Sequence, residues 1–287
     1  MRQDKVFIIF SWVTALFLLG LMTFVFGYTV YHGTQSMGYA LFFDDVSFWP
    51  AVTGAGRVWE GIWPAICGTL SLVFTAMVIA FPLGLATGIY LALFAKRAYR
   101  RVALSLIDLL AGVPSVIVGL FGFALLLFLR ESFFPQASTS LGLAAGCLAI
   151  LVLPYLIKLT CSAIDGVPTS LKVCGEALGM TPWQQVWHLL VPAAKEGILE
   201  GVILSFGRCA EDTAVILFTG VVANAGLPHG FLGKFEALPF YIFYHTTESQ
   251  GSSDIALAFG AALVLIMITF VAAIAARRLT VRRHHAR

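Results

Sequence analysis

An all-α integral membrane protein with six transmembrane helices is the fold class that three observations in this sequence predict. Of its 287 residues, 59% are hydrophobic and only 11% charged, whereas soluble globular chains carry about 25% charged residues. The apolar residues also gather into runs of membrane length. Crossing a hydrocarbon core of about 30 Å takes roughly 20 residues of helix, and segments 6–27, 66–95, 102–129, 140–160, 198–221 and 255–276 each supply them. Finally, Lys and Arg collect in alternate loops, as they do where one side of a membrane is cytoplasmic.

The first span follows Arg2 and Lys5; it is too long for a signal-peptide core and lacks a small-x-small cleavage site, so it reads as retained. Residues 28–65, with Asp44, Asp45, Trp49, Trp59 and Trp63, read as an outer interfacial segment. Pro82, Gly84 and Gly88 make the second span a candidate for a kink. In the third, Gly119 and Gly122 predict close helix packing, and Asp108 reads as an interfacial residue near Arg100 and Arg101. The chain divides into residues 1–64, a transmembrane domain over 65–278, and a basic tail over 279–287.

Charge placement sets the orientation. With the amino terminus inside, the inner side holds Arg2, Lys5, Lys96, Arg97, Arg100, Arg101, Lys158, Lys172, Lys195, Arg277, Arg278, Arg282, Arg283 and Arg287, fourteen in all. The outer side holds three, Arg57, Arg130 and Lys234. Both termini are expected in the cytoplasm. A net charge of +3 gives no reason to expect a nucleic-acid partner. The five cysteines are scattered and odd in number, which argues against a zinc site or a disulfide framework. No phosphate loop, HExxH or serine elbow occurs, so neither catalytic residues nor a metal site are expected.

Residues 161–197 differ from the rest. Pro168 with Thr169 and Ser170 opens a helix, Gly179 closes it, and Thr181-Pro182 opens a second that carries Trp183, Val186, Trp187 and Leu190 at helical spacing. An amphipathic pair on the membrane surface and a docking element for a cytoplasmic partner both fit this punctuation.

The stretch VILSFGRCAEDTAVILFTG, residues 202–220, is apolar enough for a span yet carries Arg208, Glu211 and Asp212. On one continuous helix the three would share a face. Burying one cation with two acids leaves an uncompensated charge, which is far costlier than a buried pair. A partner cation, a proton or a water-filled path would have to compensate, and intramembrane charges commonly line such paths. Pro114 removes a backbone donor within the third span. A packing kink and a cavity lining, with Ser115 beside it, are both open.

Three of these stretches resemble one family. VPTSLKVCGEALGMTPWQQVWHLLVP is similar to the coupling-helix segment of ABC importer permeases, with Gly179 and Pro192 at that family's separation. Its Glu-Ala-Ala positions fall here on Val173, Cys174 and Gly175, with Glu176 three residues late. GVPSVIVGLFGFALL, residues 112–126, and GRCAEDTAVILFTG, residues 207–220, resemble signatures of phosphate-specific permeases; Arg208, Thr213 and Ala214 match, and Asp212 takes the Glu position.

The resemblance implies a six-span permease of a phosphate importer in a bacterial inner membrane, not an enzyme. It would pair with a second permease and dock on a cytoplasmic ABC ATPase dimer that binds the ATP and Mg, with no cofactor in this chain. An extracytoplasmic phosphate-binding protein would deliver substrate. Under this reading Arg208, Glu211, Asp212, Thr213, Pro114 and Ser115 line the substrate path, with Glu211 or Asp212 holding Arg208 when the path is closed, so that anion and carboxylate compete. Leu171, Glu176, Leu178, Gly179, Met180, Trp183 and Pro192 would couple to the ATPase. A permease for molybdate or sulfate would share the coupling segment but not residues 112–126. A secondary transporter or channel would leave the Gly179…Pro192 segment unexplained and would be expected to show inverted repeats.

Overall fold

The computed structural model describes residues 2–56, 58, 61–248 and 251–281, without the side chains of residues 2–4, 6, 252–253 and 279–281. Arg57, Trp59, Arg282, Arg283 and Arg287 of the sequence analysis lie outside the described residues. Helix α1 (Arg2–Ser36) is followed by two short helices, α2 (Tyr39–Phe43) and α3 (Phe48–Thr53), and then by α4 (Trp63–Leu93). Helices α5 (Arg97–Ala111), α6 (Ser115–Ser132) and α7 (Leu141–Asp165) come next. Then follow α8 (Thr169–Ala177), α9 (Pro182–Gln185), α10 (Val191–Glu211), α11 (Thr213–Thr219), α12 (Leu238–Thr247) and α13 (Ser252–Val281).

Among the described residues five helices are long and apolar enough to cross a membrane unbroken: those at Phe7–Ser36, Trp63–Leu93, Ser115–Ser132, Leu141–Asp165 and Asp254–Arg278. Two of the expected spans are interrupted. The 198–221 segment breaks at Asp212, between α10 and α11. The 102–129 segment divides into α5 and α6 across Gly112, Val113 and Pro114. Each break has a local cause. A residue preceding proline is driven out of the α region and proline donates no N–H, while Asp favours a helix N-cap over a helix interior.

Helix α7 is the centre of the bundle, packed by α4, α10, α5, α6 and α11. Its small residues let neighbours close in: Ala144, Ala145, Cys147 and Ala149 are buried beside Leu148, Leu151, Val152 and Leu156. Helix α5 lies antiparallel on the C-terminal half of α7 through Ala103, Leu104 and Ile107. Two ion pairs brace that contact, Arg100 with Asp165 and Lys158 with Asp108. Asp108 therefore answers a lysine of α7 rather than the Arg100–Arg101 cluster. Helix α1 continues beyond the expected residue 27 because its end has a partner on α13. Gly33 meets the Phe259 carbonyl, Tyr28 packs its ring on Phe259 at 5.6 Å, and Ser36 donates to the Ala256 carbonyl at 2.7 Å. All five cysteines are free.

The connection from Gly220 to Ala237 is pinned to the bundle rather than hanging from it. Val221 pairs with Phe235, and the Leu141 and Gly142 amides donate to Gly233 and Phe231. The Leu238 amide donates to Thr69 Oγ1 at 2.8 Å. Gly68 lies directly beneath the Glu236 carbonyl, where any Cβ would collide with backbone.

Glu236 itself is buried, and its Oε1 accepts from the Gly226 amide at 2.9 Å. Burial pushes its carboxyl up to about 7 from an ordinary 4.5, outweighing the Gly226 and Ala225 amides that pull it down. Tyr241, Tyr244 and His245 of α12 line the small cavity beside it. Because folding raises this pKa, the protonated form suits the folded loop. Its contribution is fully present below 4.5 and is lost as pH rises through about 7. Hydrogen exchange at Ala225 and Gly226, corrected for intrinsic rates, is expected to show more protection on the acid side of 7 than on the alkaline side. Glu236→Gln should flatten that profile; a flat profile in the unmodified protein would remove the argument.

Candidate functional site

Asp212 is at once the last cap of α10 and the first of α11, with φ −76° and ψ 107°. Its Oδ1 accepts from the Val215 amide at 2.9 Å, and its Oδ2 lies 3.6 Å from Arg208 Nη2. The two partners differ in environment: the Asp212 side chain is 2% exposed and that of Arg208 45%. Glu211 is exposed. The break at Asp212 thus replaces the expected three-charge helix face with one ion pair, Arg208 to Asp212. Only the aspartate is buried within the chain, and a backbone amide shares its charge. Removing Arg208 would therefore still leave the carboxylate one hydrogen bond.

The second break lies at the same level. Gly119 of α6 faces Ala214, Val215 and Phe218 of α11, and Gly122 faces Thr219, so α6 and α11 pack side by side and run parallel. A Cβ at Gly119 would stand 2.9 Å from the Ala214 carbonyl, and at Gly122 2.7 Å from Thr219 Cγ2. The packing role expected for these glycines holds. Parallel packing sets the start of α6, at Pro114 and Ser115, beside the start of α11, at Asp212 and Thr213. Ser115 and Thr213 are half-buried there, and Pro114 is exposed. Pro114 is the cap of a new helix rather than a kink inside a continuous one. Two helix N-termini, each carrying partial positive charge, and an exposed guanidinium thus converge on one level of the bundle.

The 161–197 segment folds as its punctuation predicts. Helix α8 ends in a paired hydrogen-bond motif, with the Met180 amide on the Gly175 carbonyl at 3.1 Å and the Gly179 amide on the Glu176 carbonyl at 2.9 Å. Gly179 sits at φ +69°, open to space on its side-chain side. Thr181 then starts α9 with a capping box to Gln184. A π-helical turn, Val186–Leu190, joins α9 to α10 just before Pro192, so that the helix widens where proline's missing donor and ring would strain it. Gly175 packs against Leu189 and Gln185, with 2.9 Å left for a Cβ. That contact explains a small residue at the third of the three positions Val173, Cys174 and Gly175.

Leu171 packs inward with Val186 and Leu190, anchoring the elbow. The tip faces out: Leu178 is 74% exposed, Glu176 is exposed and Met180 is half-buried. Trp183, 67% exposed, sits edge-on to Trp187 at 5.5 Å rather than with Leu178 at the tip. Pro192 is exposed on the first turn of α10.

Comparison with known proteins places this architecture. Residues 84–284 match the family described as "Binding-protein-dependent transport system inner membrane component". The chain is 32% identical over 208 residues to the phosphate transport system permease protein PstA 1 of Mycobacterium tuberculosis, covering 72% of this chain and 66% of that protein. It is 33% identical over 221 residues to PstA of Yersinia pestis, covering 77% and 71%. It is also 30% identical over 238 residues to PstC of Mesorhizobium japonicum, covering 76% and 72%. Among solved structures, a bacterial transporter importing the acidic polysaccharide alginate superposes with a TM-score of 0.62 at 15% identity, over 94% of this chain and 96% of that one. The MetNI methionine transporter superposes with a TM-score of 0.57 at 17% identity, over 76% and 95%. The chain belongs to the inner-membrane components of binding-protein-dependent transport systems, and within them it is a relative of the phosphate transport system permeases.

Proposed function

We propose that this chain is the permease subunit of an ATP-driven importer of inorganic phosphate and forms half of the translocation path. The observation that carries this reading is the intramembrane break, which leaves a guanidinium exposed beside a buried carboxylate that has a second partner. A planar donor fork suits a phosphate oxyanion. When phosphate takes Arg208, Asp212 keeps its bond to the Val215 amide, which eases the loss of its cation. The similarity to both PstA and PstC relatives supports a heterodimer with a second permease. Both termini lie in the cytoplasm, on the side that holds the fourteen basic residues. The ATPase, with its ATP and Mg, docks there, and the binding protein docks outside. The periplasmic partner of the alginate transporter is a parallel for that arrangement.

Force enters at the tip between α8 and α9. An exposed leucine at a rigid turn suits a groove in a partner, and Leu178 and Met180 are the apolar anchors, with Glu176 the polar contact, while Trp183 stays beside Trp187. Purification of the tagged chain from its membrane should bring down an ATPase and a second permease in fixed stoichiometry. In vesicles made from that complex, unlabelled phosphate should compete with labelled phosphate, and molybdate and sulfate should not. A chain that purifies without an ATPase, or transport blocked equally by all three anions, would refute the proposal.

A further inference from the structure

The C-terminal half of α4 carries an apolar groove that no side chain among the described residues fills. Its floor is Pro82, Leu85, Ile89 and Phe94, its far wall is Trp183 and Trp187, and it encloses about 340 Å³. Pro82 and Phe94 are twelve positions apart, so the floor runs about 18 Å along the helix axis. One leaflet of a bilayer with a core of about 30 Å is about 15 Å deep. The groove therefore starts near mid-membrane and reaches the inner surface. A soluble ATPase meets the mouth of such a groove and not its depth.

The mouth is basic and aromatic. Phe94 closes α4, Lys96 and Arg97 follow it, and both are exposed. Tyr99 of α5 packs its ring on Tyr90 at 6.3 Å, which holds the start of α5 beside the groove. Arg100, one turn on, is taken by Asp165, whereas no ion pair is recorded for Lys96 or Arg97 among the described residues. Aromatic side chains at the rim with basic ones above them are what an interfacial headgroup meets.

From this we infer that the groove binds one acyl chain of an anionic phospholipid, with the headgroup on Lys96 and Arg97, and that this lipid wedges α4 against the coupling elbow. The inference rests on the reading that the α4–α5 turn faces the cytoplasm. Zwitterionic lipid has the same chains but gains little from the two cations. Selectivity for the anionic headgroup is therefore the signature.

The test uses the assembled complex in nanodiscs of phosphatidylcholine doped with a minor fraction of phosphatidylglycerol. Bromine is placed on the acyl chains of one lipid at a time, at equal amounts. The quantity read is the part of tryptophan quenching lost in Trp187→Phe, which isolates Trp187 from the other tryptophans. Brominated phosphatidylglycerol is expected to quench that part at a concentration on the order of ten-fold lower than brominated phosphatidylcholine, from the attraction of two basic side chains. Lys96→Gln with Arg97→Gln should equalise the two lipids, and Ala86→Phe, at a position that also lines the groove, should fill it and abolish the Trp187 quenching while the complex still assembles. Equal quenching by both lipids would mean bulk lipid only, and no quenching by either would mean that a protein partner covers the groove. Each of these overturns the inference. A complex that shows the selectivity but carries no phosphate would refute the transport reading and leave the lipid site standing.

Discussion

Arg208→Ala is expected to abolish phosphate uptake while the complex assembles and hydrolyses ATP at its basal rate. The side chain is the exposed member of the pair with Asp212, so its removal deprives the path of a donor without opening the core. The carboxylate left behind keeps the Val215 amide and stays a helix cap. Arg208→Lys is expected to recover only part of the uptake, because a compact ammonium places one point charge where a planar fork places two parallel donors. Uptake and ATPase assays on the same vesicles separate this outcome from a folding defect. Loss of the complex itself in Arg208→Ala would mean that the arginine serves stability first.

The second large effect is at Gly179. Its φ of +69° closes α8 and aims the tip, and a Cβ there would meet no neighbour. The restriction is therefore conformational and not spatial. A side chain in the left-handed region costs roughly 1–2 kcal/mol, enough to turn the tip away from its partner without unfolding the bundle. Gly179→Leu should leave the chain in the membrane with its partners present while phosphate no longer stimulates ATP hydrolysis. Gly179→Asn, which tolerates this region better, should retain more coupling than Gly179→Leu. Equal, near-normal coupling in both would show that the turn's geometry is not what transmits force.

What the sequence made legible was what local rules control. Pro168, Gly179, Thr181 and Pro182 each have a backbone preference strong enough to survive any tertiary context, and α8 and α9 begin and end where those residues put them. Gly119 and Gly122, one turn apart, announced a close contact that α11 supplies. The two breaks were less legible because hydropathy averages over a window. Leu, Val and Phe on both sides of Asp212 kept the average high through a residue that ends one helix and caps the next. The signal lay in the residue type, since an acid followed by Thr213 in an apolar run is a better cap than a helix interior.

Helix α5 was hidden for a related reason. Leu106, Leu109 and Leu110 continued the apolar run, while Arg100 and Asp108 mark a helix braced by ions against α7. Glu236 left no trace in the sequence. Its burial depends on Gly68, 168 positions earlier, meeting its carbonyl, and no local pattern encodes that approach.

The most direct measurement of the account is labelled-phosphate uptake by the complex carrying Arg208→Ala together with Asp212→Asn. The double change removes both charges, and asparagine keeps the capping oxygen for Val215, so assembly is expected to be normal. If Arg208 is an anion site, the assembled double variant carries no phosphate, although basal ATPase activity persists. If the pair merely neutralises itself inside the membrane, the double variant transports phosphate at close to the unmodified rate, and that result would contradict the account.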